Sequence, residues 1–200
     1  MRKKTSETRL LFVLITIFYF FVPTGVGVSQ AESSGVLAVN NQMPEIAVND
    51  SLSRSEIEYL GLKKEGQFSL SDIDCDILLI EVFSMYCPHC QKDAPTVNEL
   101  YELTLGAEKN FAKKVRMVGI GAGNSNFEVH IFKEKYKVRF PLFSDPELKI
   151  HKDLDSVRTP YFIAVCNRGP NKGEILFSQL AGLNKPENFL DRILKTDNCD

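Results

Sequence analysis

Two short apolar runs, Ile77–Phe83 (ILLIEVF) and Val115–Gly121 (VRMVGIG), bracket a stretch with apolar residues at helical spacing. That arrangement does most to limit the folds open to this chain. Runs of this length with almost no polar positions fit strands buried on both faces. Between them, Pro88 to about Leu105 carries Val97, Leu100, Tyr101 and Leu103 on one helical face, and Gly106 marks an expected stop. Strand, helix, strand at these lengths is a βαβ unit, which requires a parallel pair and a right-handed crossover.

Further elements follow the same logic. A helix is expected over Asn126–Tyr136, where Phe127, Ile131 and Phe132 share a face, and another over Pro146–Leu154. Phe140–Ser144 reads as an edge strand because it contains Pro141. Two strands, Tyr161–Cys166 and Ile175–Leu180, are joined by Arg168–Gly173, whose residues are turn formers, and should make an antiparallel hairpin. Pro186 suits the first turn of a last helix ending near Leu194. The expected class is α/β, a central mixed β-sheet flanked by helices.

The first residues set the compartment. Arg2, Lys3, Lys4 and Arg9 precede the apolar run Leu10–Val22, and Ser29-Gln30-Ala31 then offers small residues before a cut after Ala31. This is the layout of a signal peptide over residues 1–31, and thirteen apolar residues are fewer than a spanning helix needs. The protein is therefore expected to be periplasmic or otherwise extracytoplasmic and bacterial, or membrane-anchored if the segment is not cleaved. The signal peptide would engage the membrane only during export. Residues 32–55 are polar and aperiodic and read as a flexible segment that becomes ordered near Met43-Pro44; residues 56–200 form one domain. The net charge of −2 becomes more negative without the basic leader, so a nucleic-acid partner is not expected.

The chemistry lies in Cys87-Pro88-His89-Cys90. Cys87 falls after a strand and at the start of a helix, with Pro88 in the tolerated first-turn slot. Unpaired backbone N–H groups and the positive helix end stabilise a thiolate there. Cys87 is thus the expected nucleophile, and Cys90, one turn on, can close a bond with it. A zinc site would need a second close pair, and Cys75, Cys166, Cys199, His130 and His151 are scattered singly. No metal and no cofactor is expected. Gly119-Ile-Gly121-Ala-Gly123-Asn124 lacks the spacing of a dinucleotide fingerprint and reads as a tight loop.

With these residues in view, the chain from about Met43 onward resembles the thioredoxin superfamily, and within it the exported TlpA/ResA-like redoxins of the AhpC/TSA type. The resemblance rests on Cys87-Pro88-His89-Cys90 after a buried strand, on Pro95 five residues past the second cysteine, and on Thr159-Pro160 directly before a strand. Gly66–Ser71 is similar to the N-terminal hairpin of such proteins, and Phe127–Asp145 to their mid-chain helix-strand insertion. The resemblance implies a thiol-disulfide oxidoreductase that exchanges disulfides with protein substrates, with a membrane-bound redox partner. It implies a cis Pro160 beside the active-site sulfur, with Thr159 and Pro160 presenting backbone to substrate and Tyr86, Pro88 and His89 around them. Glu81, six residues before Cys87, takes the place of the superfamily's buried acid and becomes the expected base for Cys90.

Pro88-His89 resembles the dipeptide of the oxidant DsbA, whereas the surroundings resemble reductants, and the expected direction is reduction. A peroxiredoxin-like peroxidase is an alternative, although Ile80 and Ser84 occupy the places where such enzymes carry proline and threonine. A Sco-type copper-binding protein is another, with His151 as its candidate ligand. The superfamily sets the strand after Pro160 antiparallel to Ile77–Phe83. Cys75 and Cys166 then fall at the end opposite the active site, and a structural disulfide between them is expected, leaving Cys199 over.

Overall fold

The computed structural model describes residues 37–63, 65–180, 182–183, 185–195 and 199. The expected signal peptide, 1–31, lies outside these residues. No helix among the described residues is long and apolar enough to cross a membrane.

The chain enters through β1 (Ala47–Val48), α1 (Arg54–Leu60) and β2 (Phe68–Ser69), followed by a 3-10 turn at Leu70–Asp72. β1 and β2 pair antiparallel, but with α1 between them they do not form the tight hairpin that Gly66–Ser71 suggested. Ser53 starts α1 through a capping box with Glu56, and Gly61 ends it at φ 65, where a Cβ would press on that of Asp74. Past Met43-Pro44, where order was expected to begin, Ile46 and Val48 are buried under the main sheet.

That sheet contains β3 (Ile77–Phe83), β4 (Val115–Ala122), β5 (Leu142–Asp145), β6 (Tyr161–Cys166) and β7 (Ile175–Leu180), in the order β5-β4-β3-β6-β7. β3 is central, parallel to β4 and antiparallel to β6, while β6 and β7 form the expected hairpin. The long α2 (Pro88–Phe111) makes the βαβ crossover; α3 (Asn126–Tyr136), α4 (Lys149–Asp153) and α5 (Pro186–Leu194) complete the fold. The mixed sheet flanked by helices agrees with the sequence reading.

Alternation along β3 divides the core. Ile77, Leu79 and Phe83 join the cluster under α2, α3 and α5, with Val97, Leu100, Phe132 and Ile193. Leu78, Ile80 and Val82 join the other cluster, with Val48, Leu60, Phe68 and Leu154. Three boundaries differ from expectation. α2 runs through Gly106 to Phe111 because Thr104 and Ala107 are buried, and that packing offsets the roughly 1 kcal/mol a mid-helix glycine costs. α4 starts three residues late because Leu148 adopts φ 57, outside the right-handed helical region. β5 begins after Pro141, which lacks the N–H that a strand position would donate.

Candidate active site

Cys87 is the N-cap of α2, and its sulfur accepts the Cys90 N–H at 3.4 Å. The thiol can donate to the Thr159 carbonyl, also at 3.4 Å, and the Thr159–Pro160 bond is cis. Cys87 is half-buried, whereas Cys90 has no exposed surface. Neither is disulfide-bonded in this structure.

Partial burial pushes the Cys87 thiol up. Hydrogen bonds from the Cys90 thiol, the Thr159 side chain and the backbone N–H groups of Cys90 and His89 outweigh that penalty and leave it below the ordinary thiol value. Cys90 moves the opposite way, raised first by burial and then by its hydrogen bond to Cys87, with the charges of Glu81 and Cys87 adding to the effect. A thiolate therefore forms first at Cys87.

Glu81 occupies a position of β3 whose alternation points it under α2, toward the cluster that contains Cys90. It is 3 % exposed and has no hydrogen bond or ion pair among the described residues. Burial, then the charges of Asp93 and Cys87, raise its pKa from 4.5 to about 8. A group with that pKa can take and return a proton near neutral pH.

The loop before Cys87 is fixed by three side chains. The fully buried Asn124 accepts the Met85 N–H at 2.8 Å, Gln91 donates to the Met85 carbonyl at 2.7 Å, and the Tyr86 hydroxyl donates to Glu128. Tyr86, Pro88 and His89 are exposed around the sulfur, Thr159 is half-buried and Pro160 buried. A cleft of about 450 Å³ opens beside Cys87, lined by Ser84, Leu148, His151, Val157, Arg158 and Thr159. A larger one, about 870 Å³, includes Cys75, Asn167 and Arg168 and lies at the opposite end of β3, so size does not mark the site of chemistry here.

The expected Cys75–Cys166 disulfide is replaced by Cys166–Cys199, with Cα atoms 5.4 Å apart. Cys75 precedes the first residue of β3, so the strand's alternation, which would set it on the face of Ile77, does not govern it. Cys166 sits opposite Ile77 and shares its face, while Cys75 packs with Leu78 and Ile80 on the other face and remains free. Burial pushes the Cys75 thiol up to about 12, so it is no competing nucleophile.

His130 is exposed, and the His151 Nε2 lies 2.8 Å from the Val157 carbonyl. Among the described residues, no group of three His, Cys, Asp or Glu side chains could hold a metal ion. Sequence reasoning missed Asp93, Gln91 and Asn124. Asp93 follows Cys90 by three residues, so helical spacing alone could have brought it toward the pair; Gln91 and Asn124 carry no such signal.

A parallel-and-antiparallel sheet with β3 at its centre, a cysteine at the start of the crossover helix and a facing cis-proline loop define a class: the thioredoxin-like thiol-disulfide oxidoreductases. Within it, the chain belongs to the AhpC/TSA family, whose model matches residues 39–189. It is similar to the thiol-disulfide oxidoreductase ResA of Bacillus anthracis, with 25% identity over 147 residues, covering 72% of this chain and 75% of ResA. Among solved structures it is similar in fold to a putative thiol:disulfide interchange protein DsbE from Chlorobium tepidum, at 15% identity and TM-score 0.59, covering 80% of this chain and 98% of that one. The thioredoxin domain of a thiol-disulfide oxidoreductase from Bacteroides vulgatus is also similar, at 18% identity and TM-score 0.58, covering 80% and 99%.

Proposed function

We propose that the protein reduces disulfides of protein substrates outside the cytoplasm through the Cys87/Cys90 pair. One observation carries this reading: a thiol held below its ordinary pKa sits one helical turn from a buried partner thiol, with a buried carboxyl of pKa about 8 in the same cluster. The Cys87 thiolate attacks one sulfur of a client disulfide, forms a mixed disulfide and releases the other client sulfur as a thiolate. Cys90 then attacks the Cys87 sulfur, and its proton passes to ionised Glu81. The 87–90 disulfide closes, the second client thiolate leaves, and two electrons have moved to the client. No cofactor enters the balance.

A dithiol donor must return the pair to the reduced state, and a membrane-bound redox partner is the proposed source. The leader-like residues 1–31 and the Cys166–Cys199 bond support an oxidising compartment. Thr159 and Pro160 would present backbone to the client, with Tyr86, Pro88 and His89 at the rim. Equilibration against glutathione buffers tests the direction of electron flow. We expect a potential nearer thioredoxin's roughly −270 mV than the roughly −120 mV of DsbA, and a value above about −150 mV with disulfide donation to reduced clients would reverse the assignment.

A further inference from the structure

Two loops face each other across the Cys87 sulfur: residues 84–86 before it, and residues 157–160 ending in the cis-proline. A continuous path of hydrogen bonds joins them behind the cleft. The Met85 N–H donates to the Asn124 side-chain carbonyl at 2.8 Å, and the Asp145 N–H donates to the Asn124 backbone carbonyl at 3.2 Å. The carboxylate of buried Asp145 accepts the Ile150 N–H at 3.2 Å and the His151 N–H at 2.8 Å. His151 in turn grips the second loop twice. Its carbonyl accepts the Ser156 N–H at 2.9 Å, and its Nε2 lies 2.8 Å from the Val157 carbonyl. A carbonyl only accepts, so Nε2 carries the proton.

The second loop needs such a hold. Asp155 and Ser156 are consecutive non-glycine residues at φ 54 and 51, a left-handed conformation that L-residues rarely adopt and that surrounding contacts must maintain. Only Arg158 separates Val157 from Thr159, whose carbonyl and side chain meet Cys87.

We propose that His151 is a positioning residue of the redox site: its Nε2–H holds the Val157 carbonyl and so sets Thr159 against the Cys87 sulfur. The inference rests on the thiol-disulfide reading above. It gives a role to a histidine that the sequence offered only as a stray metal-ligand candidate.

The test compares His151→Gln with His151→Asn in the reduced full chain. A Gln amide nitrogen reaches about as far from the backbone as the His Nε2, whereas that of Asn stops about one bond short, so both are half-exposed polar side chains but only Gln keeps the bond. Three quantities are read: the Cys87 thiolate titration by ultraviolet absorbance, KM and kcat for reduction of insulin, and the rate with glutathione disulfide corrected for thiolate fraction. The loss of one hydrogen bond corresponds to about a three- to tenfold effect. We expect His151→Asn to raise the Cys87 pKa and to increase KM for insulin by that factor, with little change toward glutathione disulfide and with His151→Gln close to wild type. Two variants that both match wild type, or that are impaired alike, would overturn the proposal. Wild type inactive on both disulfides would overturn the thiol-disulfide reading instead, and the Cys87 titration would still decide whether His151 positions the loop.

Discussion

Replacing Glu81 by Gln should change how stability depends on pH, with a sign and size set by the structure. The carboxyl is buried in the central strand, and its pKa rises from 4.5 to about 8, first by burial and then by Asp93 and Cys87. Below about pH 4.5 it is neutral both folded and unfolded and contributes no slope. Between about 4.5 and 8 the unfolded chain has lost the proton and the folded chain retains it, so stability falls as pH rises, by about 1.4 kcal/mol per pH unit. Over the whole window the loss approaches about 5 kcal/mol. Above about 8 the group is ionised in both states and the full penalty stands. Gln fills nearly the same space and has no proton to lose, so its buried amide adds a constant offset only. Urea unfolding of both proteins in a reductant, from about pH 5 to about pH 8, isolates the effect as their difference. Wild type should lose roughly 4 kcal/mol relative to the variant across that range. A difference constant to within about 1 kcal/mol would show that Glu81 does not hold its proton in the folded state, and the proton-transfer role would go with it.

In single-turnover exchange, the same Glu81→Gln change should slow resolution of the mixed disulfide by about 10²–10⁴-fold and flatten its pH dependence near 8, leaving the first attack intact; equal slowing of both steps would contradict this. Cys90→Ser should accumulate mixed disulfides through Cys87, and iodoacetamide at mildly acidic pH should label Cys87 before Cys90, because the first thiol is lowered and the second is buried and raised. Unreduced peptide mapping should return a Cys166–Cys199 peptide, and Cys199→Ser should destabilise the oxidised protein by about 3–4 kcal/mol for a loop of 33 residues, read as a shift in urea midpoint without loss of Cys87 reactivity. Gly119→Ala should destabilise by about 1–3 kcal/mol, since the added methyl would overlap the Leu142 side chain and crowd Phe83 and Phe140; an unchanged melting temperature would contradict that packing.

Much of the architecture was legible because local chemistry and tertiary need agree there. Ile77–Phe83 and Val115–Gly121 are apolar enough to be nothing but buried strands, and Pro88 and Cys87 mark the helix start that the structure shows. Thr159-Pro160 could be placed through the family resemblance, and its bond is cis. The losses occur where a distant contact decides. Gly106 reads as a stop, but burial of Thr104 and Ala107 carries α2 past it. β1 and β2 are two residues each and exist only because Ile46, Val48 and Phe68 cover one face of the sheet, so no periodicity could reveal them. His151 was visible as a residue but not as a partner of Val157, because that bond depends on the left-handed turn at Asp155 and Ser156.

The alternation of β3 accounts for the place of the acid, and the start of that strand after Cys75 accounts for the error about the disulfide. Side chains alternate across a sheet, so Glu81 shares a face with Ile77, Leu79 and Phe83, the face that α2 covers with Cys90. The register that sets Ile77 opposite Cys166 puts that cysteine on the same face, where Cys199 reaches it from beyond α5. Cys75 precedes the strand and turns to the opposite face, beneath Leu60 and Phe68. Proximity along the sheet made Cys75 and Cys166 look like partners, yet a disulfide through the plane of a sheet would have to displace the backbone between them. The fold thereby sorts its five cysteines by face and depth: Cys87 reaches solvent at one end, Cys90 is buried behind it, Cys166 and Cys199 are sealed at the other, and Cys75 stays reduced on the far side. A Cys75→Ala variant should therefore keep both the Cys166–Cys199 peptide and the reactivity of Cys87, whereas a Cys75–Cys166 peptide from wild type would mean that Cys75 continues the alternation of β3 onto the face of Ile77 instead of turning away from it.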